Sequence, residues 1–139
     1  MGREVNAALV RRFHSELLAA RDPRVVDEFF AEGFVSHNNP PGFPPGRDGV
    51  KQFFATFRDA FPDVTVTIDD LVADDDRVAV ATTFSGTHGA ELLGMAPTGA
   101  RVAVTSLDMV RIEGGKIVEH RGLTDMVGLM RQLAEASTG

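Results

Sequence analysis

The chain has 139 residues, of which 43% are apolar and 24% charged, and its formal net charge is −6. This length is typical of one folded domain, which we place at residues 1–139. An acidic chain without a Lys/Arg-rich run argues against a nucleic-acid partner, and the absence of cysteine excludes disulfides and thiolate metal sites.

Nothing in the sequence predicts contact with a membrane. No apolar run approaches the roughly 20 residues that cross a bilayer, and the N-terminal MGREVNAALV lacks the apolar stretch of a signal peptide. We therefore expect a cytoplasmic protein.

Helical periodicity comes first along the chain. Residues 4–20 carry apolar side chains at four-residue spacing, which predicts an amphipathic helix: Val5, Leu9, Phe13 and Leu17. Asp22-Pro23 starts a short second helix, which Gly33 ends. After a proline-rich loop, a third helix carries an aromatic stripe of Phe53, Phe54, Phe57 and Phe61. Such a stripe is typical of a core, and Phe57 is also our candidate for contact with a ligand.

From Val64 onward the period of the apolar residues changes to two. Asp69-Asp70 interrupts the first strand and predicts a bulge. A second strand ends near His88, and the apolar connection after it, with Leu92, Leu93 and Met95, is expected to cover a pocket or meet a second subunit. Two long strands joined by Glu113-Gly114-Gly115 and a C-terminal helix complete the chain. Helices followed by consecutive antiparallel strands predict an α+β fold, a bent sheet with helices on one side.

Two ionisable residues lie in the middle of the last two strands, Asp108 in one and His120 in the other. Intramolecular aldol closure needs a base, a donor to the enolate oxygen and a cavity that folds the substrate. A carboxylate beside a histidine in an apolar pocket supplies the first two. The alternative is a salt bridge between strands, or side chains that face solvent.

The other histidines carry weaker signals. His37, before the proline-rich loop, either lies at the rim of a pocket or packs within the loop, and His88, at the end of a strand, is a second candidate for the rim. We expect His14 at the surface. Asp125 is either a helix N-cap or a further catalytic carboxylate. A metal site of His37, His88 and His120 has no supporting spacing. Without a phosphate-binding glycine loop or a dinucleotide fingerprint, we predict no metal and no cofactor.

Two segments are the most specific parts of the chain: GMAPTG at Gly94–Gly99 and RIEGGKIVEHR at Arg111–Arg121. With the order of elements, they resemble the SnoaL-like polyketide (ester) cyclases of the nuclear transport factor 2-like superfamily. The resemblance implies a cone-shaped curved sheet, mostly antiparallel, wrapped over N-terminal helices around an apolar cavity. It also implies homo-oligomers and cofactor-independent aldol closure of a hydrophobic polyketide ester.

Only some of the family's catalytic residues have a counterpart in this chain. In characterised family members an aspartate two residues after the histidine of the last strand is the general acid/base, and that position is Gly122 here. A neighbouring-strand histidine corresponds to Asp108, while His120 and Asp125 are kept.

The register of the last hairpin decides whether the two central residues meet. In a two-residue turn Glu113 faces Lys116 and Asp108 lies opposite Arg121. In a three-residue loop Ile112 faces Lys116 and Asp108 lies opposite His120. The resemblance favours the second register, which puts Asp108 within hydrogen-bonding reach of His120, with Ser106 and Gly122 beside them.

Three functions remain open at this point. The first is a cyclase that uses Asp108, His120 and Asp125, with His37, His88, Phe57, Ser106, Met95 and Gly122 around a hydrophobic small-molecule substrate. The second is a non-catalytic binding or dimerisation module, favoured by Gly122. The third is an epoxide hydrolase, which requires Asp108, Arg121 and Asp125 to face inward together. We also expect a homodimer through the outer sheet face, with Leu107, Met109, Ile117 and Leu123 as candidates.

Overall fold

The computed structural model describes residues 2–20, 22–38 and 42–138. It contains four helices, named α1 (Gly2–Ala20), α2 (Arg24–Phe29), α3 (Arg47–Ala60) and α4 (Met126–Thr138). Five strands follow the same numbering, β1 (Phe30–Ser36), β2 (Thr65–Ala73), β3 (Arg77–Thr87), β4 (Arg101–Glu113) and β5 (Lys116–Thr124). Among the described residues, no helix is long and apolar enough to cross a membrane.

The strands form one curved sheet in the order β1-β5-β4-β3-β2. Every neighbouring pair is antiparallel except β1 and β5, which run parallel. The predicted α+β fold, a curved sheet with helices packed on it, is therefore confirmed. The predicted bulge at Asp69-Asp70 is confirmed too, because the register of β2 against β3 shifts between Ile68 and Asp70.

Alternation along the strands separates two sheet faces. The inner face carries buried residues such as Val78, Val80 and Val110, which pack with Val10 of α1 in one core cluster. A second cluster lies between α3, α4 and the other end of the sheet, and includes Phe57, Val104 and Leu129. The outer face carries exposed apolar residues, among them Leu107, Met109 and Leu123.

The segment after α2 differs from the prediction. We expected helix through Phe30, with Gly33 at its end, but α2 stops at Phe29 and β1 begins at Phe30. Phe30 and Phe34 are both buried, which fits a strand whose side chains alternate between two faces. Gly33 lies within this strand. The sequence Phe29-Phe30 is compatible with both a helix and a strand. Phe30 pairs with Ile117 of β5, and this pairing stabilises the strand.

The hairpin between β4 and β5 follows neither predicted register throughout. Glu113 faces Lys116 across a two-residue turn in which Gly114 and Gly115 both have positive φ, 57° and 77°. A register shift then leaves Val118 as an extra residue, so that Arg111 faces Glu119 and Asp108 faces Gly122. The prediction of a three-residue loop at Glu113-Gly114-Gly115 is therefore wrong. The bulge nevertheless turns His120 to the same face as Asp108.

Candidate functional site

Asp108 and His120 form the centre of the site. The Asp108 Oδ1 atom accepts a hydrogen bond from His120 Nε2 at 2.7 Å, so the predicted hydrogen-bonding reach is confirmed. Val110 lies opposite His120 and Asp108 lies opposite Gly122, which makes the two ionisable residues diagonal neighbours on the inner face. Their side chains are 23% and 27% exposed, so a bound molecule can reach both.

Gly122 makes room for this contact. A Cβ atom at position 122 would lie 2.0 Å from Asp108 Oδ1 and 2.7 Å from His120 Nε2, closer than real Cβ atoms come to any atom. Its φ is not positive, so the requirement for glycine here is one of space rather than of backbone conformation. The carboxylate of Asp108 therefore occupies the volume that a side chain on β5 would take.

The end of β1 reaches the same site. Ser36 is 9% exposed, and its Oγ lies 3.2 Å from Nδ1 of His120. The next residue, His37, donates its backbone N–H to the His120 carbonyl at 2.9 Å. The Asn38 side chain then donates to the Gly122 carbonyl and accepts from the Gly122 N–H. The segment 36–38 thus binds β5 on both sides of His120. No pattern in the sequence indicated this role of Ser36.

His37 lies in an ion-pair cluster beside the pair rather than in it. Its Nε2 is 2.8 Å from Glu119 Oε2, and Glu119 also pairs with Arg111. The hydrogen bond from His37, followed by that from Arg111, lowers the pKa of the Glu119 carboxyl. Glu119 is therefore ionised at neutral pH and holds His37 at the start of the proline-rich loop.

His14 does not lie at the predicted position on the surface. It is half-buried instead of lying at the surface, because it falls on the same side of α1 as Val10 and Leu17. Its Nδ1 lies 2.8 Å from the Val10 carbonyl and donates to it, which leaves Nε2 with a free lone pair. Burial lowers the pKa of His14, while the Val10 bond and the charge of Asp108 act in the opposite direction.

The other predicted residues lie in three places. Ser106 is next to the pair on the inner face, where its hydroxyl lies 2.9 Å from that of Thr124. Asp125 accepts the Gly128 N–H at 2.9 Å, so the N-cap interpretation of this residue is confirmed. Phe57 and Met95 pack in or against the second core cluster, apart from the cluster around Val110.

His88, the residue after β3, is fully buried against the Phe61 ring rather than at the rim of a pocket. Its Nδ1 accepts the Thr98 N–H at 3.2 Å, and its Nε2 has no partner among the described residues. In the part of the chain described here, no three His, Asp or Glu side chains are grouped so as to hold a metal ion.

The outer face carries an open groove of about 540 Å³. Its lining is largely apolar and includes Val72, Ala79, Ala81, Leu107, Met109 and Leu123. Asp108, Gly122 and Asn38 of the site also line this groove. Arg121 also lines it, since Arg121 pairs with Met109 and is exposed on the outer face. Ile117, predicted to belong to this face, is fully buried in the core, because the bulge at Val118 reverses the alternation before it.

Curated relatives match a short part of the chain. The aklanonic acid methyl ester cyclase DnrD of Streptomyces peucetius is 42% identical over 50 residues, 36% of this chain and 34% of that protein. The nogalonic acid methyl ester cyclase of Streptomyces nogalater is 40% identical over 50 residues, 36% of this chain and 37% of that protein. The chain thus spans about a third of the length of the curated relatives that it matches.

Solved structures match almost the whole chain. TsrD from Streptomyces laurentii superposes with a TM-score of 0.83 at 28% identity, covering 96% of this chain and 97% of that one. IdmH from Streptomyces antibioticus gives a TM-score of 0.74 at 33% identity, covering 94% and 96% of the two chains. The family model of the SnoaL-like polyketide cyclases matches residues 8–133. This chain therefore belongs to the SnoaL-like polyketide cyclase family.

Proposed function

We propose that this protein closes a ring in a hydrophobic polyketide ester by acid–base chemistry, without a cofactor, with Asp108 as the base and His120 as its partner. The observation that carries the proposal is the 2.7 Å hydrogen bond between Asp108 Oδ1 and His120 Nε2 on the inner face. Family membership supports the substrate class, because the curated relatives are methyl ester cyclases.

The contact divides the work between the two oxygens of Asp108. Because Oδ1 accepts the bond from His120, Oδ2 is the oxygen that takes a proton from the carbon next to a substrate carbonyl. The electrons of that C–H bond form an enolate, and the enolate carbon attacks a second carbonyl carbon of the same molecule. The new alkoxide recovers the proton from Asp108. The reaction is balanced as an isomerisation and consumes no co-reactant.

His120 has two tasks in this scheme. Its Nε2–H donates to Oδ1 and orients the carboxylate, and after Asp108 has taken up the proton the same N–H is shared with the substrate oxygen that has gained negative charge. Both tasks need the ring to stay in one orientation, which the contact between Ser36 and Nδ1 supports.

The missing family carboxylate has a replacement in this proposal. Family members are expected to carry an aspartate at the position that Gly122 occupies in this chain. Here Asp108 lies directly across from Gly122, and its carboxylate extends into the volume that the side chain of such an aspartate would take. We propose that the carboxylate reaches the same place from the neighbouring strand. Gly122 is then a condition for activity rather than a sign that activity has been lost.

The two other candidate functions have less support. An epoxide hydrolase of the Asp-Arg-Asp kind needs Arg121 beside Asp108, yet Arg121 is exposed on the outer face. Asp125 is engaged as the N-cap of α4. A non-catalytic binding module stays as the alternative that the experiment below separates from a cyclase.

The experiment uses aklanonic acid methyl ester and nogalonic acid methyl ester, the compounds in the relatives' names. Ring closure leaves the mass unchanged, so chromatography follows the cyclised isomer. We expect turnover by the native protein and a loss of about 100-fold or more in Asp108→Asn, in line with removal of a general base. Arg121→Gln, on the outer face, is the matched control and should keep full activity.

Two results would contradict the proposal. Full activity of Asp108→Asn would remove Asp108 from the chemistry. Binding of either ester without turnover by the native protein would favour the non-catalytic module.

We also propose that two copies of the chain associate through the outer face. Leu107, Met109 and Leu123 are 61%, 38% and 74% exposed there. Together with the neighbouring alanines they line the apolar groove described above, and a contiguous apolar surface of this kind is typical of a contact between subunits.

A further inference from the structure

We infer that Ser36 is a positioning residue for His120, one that keeps the imidazole hydrogen-bonded at Nδ1 both when the ring is neutral and when it carries a proton. The effect of Ser36 on catalysis depends on the proposed function. The hydrogen bond between Ser36 and His120 is tested without a substrate.

Both nitrogens of the His120 ring are engaged. Nε2 contacts Asp108 at 2.7 Å, and Nδ1 contacts the Ser36 hydroxyl at 3.2 Å. Ser36 is 9% exposed, so little water reaches its hydroxyl to compete for Nδ1. The ring is thus held at two points by side chains from two other strands, β4 and β1.

A hydroxyl at this position accommodates either charge state of the ring. In neutral His120, Nε2–H donates to the Asp108 carboxylate, so Nδ1 has a lone pair and accepts from the Ser36 O–H. When the ring gains a proton, Nδ1–H donates to the Ser36 oxygen instead. Only the hydroxyl hydrogen has to rotate. An alanine would leave Nδ1 without a partner, and a carboxylate would favour the charged ring alone.

The backbone of β1 holds this hydroxyl in place from two directions. The Ser36 N–H donates to the Pro45 carbonyl at 2.8 Å, and the His37 N–H donates to the His120 carbonyl at 2.9 Å. Pro45 lies where the proline-rich loop returns to α3. The position of the Ser36 hydroxyl therefore depends both on the strand that carries His120 and on the end of that loop.

Nuclear magnetic resonance of ¹⁵N-histidine-labelled protein tests this directly. His120 is assigned by the loss of its signals in His120→Gln. In the neutral state, a Nδ1 that accepts a hydrogen bond resonates upfield of one that does not. We expect the His120 Nδ1 signal to move downfield in Ser36→Ala, while Ser36→Thr, which keeps the hydroxyl, leaves it in place. The signals of His14 and His88 serve as internal controls for the fold.

An unchanged His120 Nδ1 signal in Ser36→Ala would overturn the inference. Should Ser36→Ala fail to fold, the isosteric pair Ser36→Thr and Ser36→Val makes the same comparison. With a substrate, Ser36→Ala should lower kcat by about 3- to 10-fold at unchanged KM, the effect of losing one hydrogen bond, and Ser36→Thr should restore it. A shifted Nδ1 signal combined with a fully active Asp108→Asn would leave the Ser36 contact standing and reject the proposed function alone.

Discussion

The carboxylate of Asp108 and the missing side chain of Gly122 occupy the same volume. The two residues face each other across β4 and β5, and an ideal Cβ on Gly122 lies 2.0 Å from Asp108 Oδ1. Either strand can therefore place a carboxylate beside His120, but both cannot do so together. This exclusion leads to the first two predictions.

Replacing Gly122 by alanine should destabilise the protein and displace Asp108 from His120. The added methyl group meets a hydrogen-bonded carboxylate, and overpacking of this kind costs about 1–3 kcal/mol. Thermal or urea unfolding measures the loss. Gly33→Ala is the matched control, because Gly33 also lies in a strand but has no atom within 4 Å of its ideal Cβ. Equal stability of the two variants would show that the space at Gly122 is not restricted.

Moving the carboxylate to the other strand should rescue activity in part. Asp108→Ala removes the base, and adding Gly122→Asp returns a carboxylate to the vacated volume on the side of His120 Nε2. We expect the double variant to turn over a polyketide methyl ester faster than Asp108→Ala alone. The single Gly122→Asp variant should be impaired, because its two carboxylates compete for one space. A double variant no faster than Asp108→Ala would argue against this exchange.

The pKa of His14 should fall when Asp108 loses its charge. Burial already lowers this pKa from 6.5, and the Asp108 carboxylate partly offsets the effect. Asp108→Asn removes that offset, so the titration of His14 followed by NMR should shift to lower pH. Asp70→Asn, at an exposed position of β2, is the control. If His14 titrates at the same pH in the native protein, Asp108→Asn and Asp70→Asn, the charge of Asp108 does not affect the pKa of His14.

The same lowered pKa sets the sign of a pH effect on stability. Because the folded-state pKa of His14 lies below its unfolded value, the unfolded chain binds more protons as the pH falls through 6.5 and below. The contribution of His14 to the free energy of unfolding is therefore neutral above that pH and increasingly unfavourable below it. His14→Leu should reduce the loss of stability between neutral pH and pH 5, as measured by urea unfolding.

A charge on the outer sheet face should prevent the proposed homodimer from forming. Leu123, 74% exposed on β5, is the clearest position for it. We expect the native protein to be dimeric by light scattering at micromolar concentration and Leu123→Lys to be monomeric. Val127→Lys, at a position 78% exposed on α4, should leave the assembly unchanged. A monomeric native protein would rule out the dimer.

The sequence predicted the strands of the last hairpin but not how they pair. Alternation of apolar residues located β2 to β5 because each has one face on the core. The extra residue Val118 leaves no mark in such a pattern, since valine suits either face of a strand. For the same reason Ile117 was assigned to the outer face although it is buried.

The missed residues of the site have a common cause. Ser36 and Asn38 reach His120 and Gly122 only because β1 pairs in parallel with β5, a contact between segments more than 80 positions apart. His14 adjoins Phe13, and its face of α1 could be judged only once the helix was packed against the sheet. Asp108 and His120, by contrast, were recognisable because ionisable groups in the middle of apolar strands are uncommon.

Exchange of the substrate's own proton tests the central claim most directly. If Asp108 removes a proton from the carbon beside a carbonyl, the native protein in D₂O should introduce deuterium at that carbon of aklanonic or nogalonic acid methyl ester, as detected by mass spectrometry. We predict rapid exchange with the native protein and with Arg121→Gln, and none above background with Asp108→Asn. Exchange at the native rate in Asp108→Asn would contradict the assignment of Asp108 as the base.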